Sequence, residues 1–146
     1  MQTMHHGPER PKAYWAVAAL ALLWNLLGLA MFVVHVTTDE ARLAALDEAQ
    51  RRIHLATPGW VTAAFGLAVA GGVLGALGLL LRRRWAVPMF GVSLLALLAQ
   101  VAGTFLATPA WAVYGPAGTA MPALLLLVAL ALLAWARRCA ARGWLR

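Results

Sequence analysis

The sequence predicts an all-α polytopic membrane protein, a four-transmembrane-helix bundle with a short amphipathic helix between its first and second membrane helices. Hydrophobic residues make up 63% of the 146 residues and charged residues only 12%, a composition unlike that of soluble domains. The apolar residues form runs separated by short connectors, at positions 14–36, 60–81, 85–107 and 119–136. Most basic residues lie before the first run, between the second and third runs, and after the fourth run, which places them on one side of a membrane that the runs would cross, as in multi-pass membrane proteins. We therefore expect residues 1–146 to form a single membrane domain.

The first run, 14–36, is long enough for a membrane helix, since about 20 apolar residues cross a hydrocarbon core of about 30 Å. In lipid the backbone has no water to bond with, so the run must be helical throughout. Its apolar stretch is longer than the roughly 7 to 15 residues of a signal peptide, and it ends in VVHVTT without a small-residue cleavage pattern. We expect a retained anchor.

The connector after the first run predicts an amphipathic helix at 38–56, with Thr38 placed to cap its N-terminus. Oppositely charged residues lie four positions apart in the favoured order, as Asp47 with Arg51 and Glu48 with Arg52. An apolar stripe at helical spacing is completed by one glutamine and comprises Leu43, Leu46, Gln50 and Ile53. The helix serves either as a lid or docking surface or only as an ordered connector, and both interpretations stay open.

The second run, 60–81, follows Pro58, which fits a first helical turn with Thr57 as its cap. Small residues recur every four positions beside a GxxxG pair, at Ala64, Ala68, Gly71, Gly72, Gly75 and Ala76. Small residues let helix backbones approach closely, so we expect this helix to be the packing centre. The third run, 85–107, carries a similar series in Gly91, Ala99 and Gly103, which favours tight pairing of these two helices. The pattern fits contacts within one chain or between two copies.

The fourth run, 119–136, just suffices to span the hydrocarbon core, which leaves room for a tilted or shortened helix. The single cysteine, Cys139, lies among arginines beyond it and has no partner for a disulfide, which excludes a mechanism built on a thiol pair. No run contains an acidic residue or a cysteine. His35 is therefore interpreted as interface polarity, and His5 and His6 as part of an unstructured tail. The sequence predicts no catalytic residue, no cofactor and no metal site.

The orientation follows from the connectors. Most of the 12 basic residues fall on one side of the pattern, namely Arg10, Lys12, Arg82, Arg83, Arg84, Arg137, Arg138, Arg142 and Arg146. Most of the acidic residues fall on the other, namely Asp39, Glu40, Asp47 and Glu48. By the positive-inside rule both termini are cytoplasmic and the amphipathic helix is periplasmic. Because this topology accounts for the high isoelectric point, we expect the lipid bilayer, and no nucleic acid, as a partner.

Two uncharged polar side chains lie deep in the runs, Asn25 in the first and Gln100 in the third. At 1.5 Å per residue their depths differ by only about 6 Å. They form either an interhelical hydrogen bond that fixes the helix register or part of a polar cavity for a small uncharged solute, with Trp24 beside them.

Four segments carry a resemblance that covers nearly the whole chain: WNLLG in the first run, ATPGW before the second, RRRWAVPMF before the third, and the ARRCAARGWLR ending. They resemble a group of uncharacterised bacterial membrane proteins of this size, some of them automatically labelled sugar transporter. The resemblance implies four helices and the bacterial inner membrane, and it supplies no substrate-binding residues. Two functions remain: an accessory or structural bundle that associates with itself or with another membrane protein, and a small-solute transporter, with a sugar as the implied solute, that acts as an oligomer.

Overall fold

A computed structural model describes residues 11–146. Arg10 and the tail histidines His5 and His6 lie outside the described residues. Within residues 11–146 every regular element is a helix, which confirms the predicted all-α class. The helices are, in chain order, α1 (Lys12–Val36), α2 (Glu40–Ala45), α3 (Glu48–Ala56), α4 (Gly59–Leu80), α5 (Ala86–Ala107), α6 (Ala110–Tyr114), a 3₁₀ helix (Gly115–Thr119) and α7 (Ala120–Ala141).

Among the described residues, 4 helical segments are long and apolar enough to cross a membrane: α1, α4, α5 and the stretch Ala110–Ala141 that ends in α7. They contain the four predicted runs almost completely. The last helix continues beyond the predicted end at 136, because the following alanines and arginines favour a helix and glycine occurs only at Gly143. Gly143 has a positive φ of 72°, as is common just after a helix end.

The central pair of the bundle is α4 and α5, with α1 packed on α4 and α7 packed on α5. Gly71, Gly75 and Gly78 approach α5, where a Cβ on Gly71 would lie 3.1 Å from the backbone oxygen of Met89. Gly72 instead approaches α1 and contacts Asn25. Small residues of α4 therefore bring this helix close to two neighbours within one chain.

The other small residues predicted to pack differ in their surroundings. Ala68 and Ala76 are buried, whereas Ala64 is only half-buried. In α5, Gly103 packs against Trp60 and Val61 of α4, but a Cβ on Gly91 would meet nothing within 4 Å. The small-residue series of the third run therefore does not form one continuous contact face.

One end of the bundle, here called the arginine end, is where α1 begins, α4 turns into α5 and α7 ends. Its core contains fully buried side chains from the three segments, including Tyr14, Leu79 and Cys139. The Tyr14 hydroxyl donates a hydrogen bond to the Leu79 carbonyl oxygen. The Tyr14 and Trp144 rings are nearly perpendicular, in a T-shaped contact with centroids 6.0 Å apart. This end of the bundle is closed by packed side chains.

The last residues return beneath the turn between α4 and α5. The Arg146 amide donates to the Arg82 carbonyl at 2.7 Å, and the Arg84 amide donates to the Arg146 carbonyl at 2.8 Å. Trp144 and Leu145 are buried in the core of the arginine end. The C-terminal segment thus ties the end of α7 to the turn between the central helices.

The connector between α1 and α4 differs from the single helix predicted at 38–56. It forms two short helices, α2 and α3, with a break at Leu46 and Asp47, whose backbones are extended. An aspartate side chain caps the N-terminus of each helix by accepting a hydrogen bond from the backbone amide three residues later. Asp39 accepts from the Arg42 amide at 2.9 Å, and Asp47 accepts from the Gln50 amide at 2.7 Å. The predicted cap at Thr38 is wrong, because the Thr38 hydroxyl donates to the Val34 carbonyl of α1.

The capping role of Asp47 also changes the ion pairs. With Asp47 engaged by the amide of Gln50, the salt bridge found in this segment joins Glu48 to Arg51, three residues apart, in place of the predicted pairs four residues apart. The expected cap of the second membrane helix is likewise absent. Pro58 occupies the cap position of α4, and the Thr57 hydroxyl donates back to the Ile53 carbonyl.

Candidate functional site

Two adjoining cavities lie at the other end of the bundle, here called the connector end, where α3 lies beside the end of α1 and the start of α4. The larger has a volume of about 390 Å³ and the smaller about 160 Å³. Both are lined by four shared residues, His35, Ile53, Thr57 and Phe65. The connector therefore supplies part of the wall of both cavities.

The smaller cavity has a polar wall built from three helices. Thr62 of α4 and Gln100 and Thr104 of α5 line it together with His35 of α1. The Gln100 amide donates to the Thr104 hydroxyl at 3.4 Å, and that hydroxyl donates to the Gln100 backbone carbonyl at 2.9 Å. Within residues 11–146 the side-chain oxygen of Gln100 accepts no hydrogen bond. Gln100 thus offers an acceptor to a bound molecule.

Asn25 lies elsewhere, at a cavity of about 90 Å³ in the middle of the bundle that Trp24 also lines. Its amide nitrogen donates to the Ala21 carbonyl at 2.8 Å. Its oxygen rests against Gly72, since a Cβ on Gly72 would lie 1.8 Å from it. Asn25 therefore fills the space that the glycine leaves in α4.

The interhelical hydrogen bond considered for Asn25 and Gln100 is not formed. Each amide group donates within its own helix, and the two side chains line different cavities. A side chain that was not predicted joins the central helices: the buried Ser93 hydroxyl of α5 donates to the Ala68 carbonyl of α4 at 2.6 Å. Ser93 lies seven positions before Gln100, on the same face of α5, which is the sequence signal that identifies it.

Phe65 lies between the middle cavity and the cavities at the connector end, because it lines all three. Its ring meets the edge of Phe32 with centroids 5.3 Å apart. The middle cavity is followed toward the arginine end by Phe90, which is buried in the core there. The order along the bundle is therefore a polar cleft, an aromatic partition, a smaller cavity and a closed core.

Two histidines meet at the larger cavity. His35 on the last turn of α1 and His54 near the end of α3 have ring centroids 4.7 Å apart and planes inclined at 56°. His35 Nε2 lies 3.4 Å from the Thr62 hydroxyl of α4. The sequence interpretation treated His35 alone and did not include His54. The signal for the contact is positional, since a helical connector that returns to the bundle brings its last turn beside the last turn of α1.

The described residues contain no group of three or more His, Cys, Asp and Glu side chains placed to hold a metal ion. Cys139 is buried at the arginine end, remote in the fold from these cavities. Comparison with protein-family models, with curated proteins and with solved structures finds no match to this chain.

Proposed function

We propose that this chain is a small-solute transporter of the bacterial inner membrane that binds an uncharged polar molecule at the connector end. The observation that carries the proposal is the Gln100 acceptor, which has no hydrogen-bond partner within residues 11–146 and lines a cavity among threonines. The adjoining cleft of about 390 Å³ falls within the roughly 300–1,000 Å³ of small-molecule sites. Hydroxyl, amide and imidazole groups in an apolar wall suit a molecule with several hydroxyl groups.

Access to the cavities from one end of the bundle supports transport of a solute rather than binding alone. The polar cavities lie at the connector end, and the arginine end is closed by Tyr14, Leu79 and the C-terminal segment. Such an arrangement is that of a site accessible from one side, with the path to the other side blocked. The resemblance in WNLLG and ATPGW makes sugars the first solutes to test.

The orientation belongs to the same proposal. Because the arginine end carries most of the Lys and Arg residues, it faces the cytoplasm and the connector end faces the periplasm. We expect a fluorescent tag on either terminus to report from the cytoplasm, and an alkaline phosphatase fusion within α2–α3 to be active. An active phosphatase at the C-terminus would contradict this topology.

Removing the polar wall of the smaller cavity is expected to weaken solute binding. Gln100→Leu with Thr104→Val deletes the acceptor and its neighbouring hydroxyl, and the loss of one or two hydrogen bonds corresponds to about a tenfold weaker binding. The measurement is uptake of labelled monosaccharides and polyols into proteoliposomes, with half-saturating concentrations compared between variants.

Thr119→Val is the matched control, because it removes a hydroxyl that bonds to the Pro116 carbonyl and lines none of the cavities. It should transport like the wild type. Wild-type uptake no faster than that of protein-free liposomes for every solute in the panel would overturn the proposed function.

A second function is favoured by the outer helices. The most apolar window of the stretch Ala110–Ala141 has 0% of its residues buried, and that of α1 has 11%. These faces are available to a second copy or to another membrane protein, as an accessory or structural bundle would require, and also to the oligomer considered for a transporter. Counting photobleaching steps of the full chain in dilute liposomes measures self-association. Single steps throughout, together with an absence of uptake, would favour an accessory role toward a different protein.

A further inference from the structure

The contact between His35 and His54 joins the connector to the membrane helices. His54 is on α3 and His35 is on α1, and their rings lie together at the wall of the larger cavity. Ile53 and Thr57, on either side of His54, line both cavities. A movement of α3 away from α1 would therefore widen the entrance to both cavities.

The hydrogen bonds of the connector do not hold it in this position. Within the described part of the chain, those of α2 and α3 are local, such as Arg42 to Asp39, Gln50 to Asp47 and the Thr57 hydroxyl to Ile53. The salt bridge of α3 is also internal to the helix. Apart from the chain continuity at both ends, the connector is held by side-chain packing, which includes the contact between the two imidazoles.

Within residues 11–146, no negatively charged side chain lines the cavities beside the two rings. The other groups that line the cavities include the Thr62 and Thr104 hydroxyls, the Gln100 amide and, as the one further titratable group, the Tyr114 phenol of α6. The charged side chains of the connector do not line either cavity; they are Asp39, Glu40, Arg42, Asp47, Glu48, Arg51 and Arg52. Asp39 and Asp47 accept backbone amides, and Glu48 pairs with Arg51.

We propose that the His35–His54 contact is a proton-operated latch: neutral rings hold α3 over the cavities, and protonation of both rings releases it. Two protonated imidazoles in contact repel each other, so the latch would open when the side it faces is acidified. The extended residues Leu46 and Asp47 between α2 and α3 supply the joint about which α3 moves. The inference rests on the proposed function in that it regulates access to the same solute site.

The latch is tested by a distance measured without any solute. Spin labels are attached at Leu55→Cys on α3 and Leu106→Cys at the end of α5, whose native side chains are 66% and 86% exposed, while Cys139 is buried. The full chain is placed in lipid nanodiscs, and electron–electron distances are recorded at pH 8 and pH 5. We expect a lengthening of about 5 Å, half the diameter of a helix, at the lower pH.

Two variants separate the histidines from other titrating groups. His54→Phe keeps a ring against His35 but cannot gain a proton, so its distances should stay at the pH 8 value at both pH values. Glu48→Gln alters a carboxylate of α3 that lines neither cavity, and it should respond to pH like the wild type. Equal wild-type distances at pH 8 and pH 5, or an undiminished response in His54→Phe, would overturn the latch.

The outcomes for latch and transport are distinguishable. If the distance between the spin labels changes with pH but the chain transports no solute, the latch is supported and the proposed function is contradicted. If the chain takes up a solute but the distance between the spin labels is the same at both pH values, the proposed function is supported and the latch is contradicted.

Discussion

Gly71→Leu is expected to lower the free energy of unfolding by about 3 kcal/mol, at the upper end of the usual range for overpacked cores. A Cβ at this position would lie 3.1 Å from both the backbone oxygen of Met89 and the backbone nitrogen of Ser93. These atoms belong to the rigid ladder of α5 and cannot turn aside as a side chain could. The leucine must therefore push α4 and α5 apart, with loss of the Ser93 hydrogen bond to Ala68.

Gly91→Leu provides the matched comparison, since a Cβ there meets nothing within 4 Å. The same exchange at Gly91 should leave stability unchanged or raise it slightly, because leucine favours a helix more than glycine does. The measurement is unfolding by sodium dodecyl sulfate in mixed micelles, followed by tryptophan fluorescence. Equal midpoints for the two variants would show that α4 and α5 are not in the close contact that the small residues indicate.

The closeness of these helices could be predicted from the sequence, because the length and composition of the apolar runs are those of membrane-spanning helices. Once water is excluded, the backbone must be helical, and small residues are the means by which such helices gain contact. Gly71 and Gly75 therefore predict close contact from the sequence alone. The choice between contacts within and between chains could not be predicted, since it depends on which faces meet. Here Gly71 faces α5 and the adjacent Gly72 faces α1.

The break in the connector could not be predicted from the same reasoning. The stripe of Leu43, Leu46 and Ile53 has the same spacing whether 38–56 forms one helix or two. The sequence spacing pairs Asp47 with Arg51, but a short acceptor side chain also competes for the backbone amide three residues later. In the structure the cap prevails and a second helix begins after Asp47. An exposed ion pair contributes roughly 0.3–0.5 kcal/mol, whereas a cap contributes about 1 kcal/mol.

The candidate site was predictable only in part, for a geometric reason. Rise per residue gives the positions of Asn25 and Gln100 along their helices, but not the direction in which each side chain points around its helix. That direction is set by the neighbours, and Asn25 turns toward Gly72 while Gln100 turns toward Thr104. His54 was missed because its role depends on the return of the connector to α1, which no periodicity within a single segment reveals.

Tyr14→Ala is expected to destabilise the fold by about 4 kcal/mol, as removal of large aromatic side chains from cores does. The Tyr14 ring is 0% exposed, and it contacts Trp15 and Trp144 edge-on with centroids 5.1 Å and 6.0 Å away. Its loss leaves a cavity where α1, α4 and the C-terminal segment meet. The same unfolding measurement reports the change in stability. Faster proteolysis of the C-terminal segment would show that this segment is released with it.

Two further variants identify which part of the tyrosine matters. Tyr14→Phe keeps the ring, and the Leu79 carbonyl still accepts the Arg82 amide at 3.1 Å, so the loss should be about 1 kcal/mol, the value of one hydrogen bond. Trp15→Ala removes a larger ring from the next position, but its side chain is 42% exposed and the effect should be the smaller of the two alanine exchanges. A Tyr14→Ala protein as stable as Trp15→Ala would mean that the arginine end is not a closed core. The proposed transport function also depends on a closed core there, which would separate a solute bound at the connector end from the opposite side.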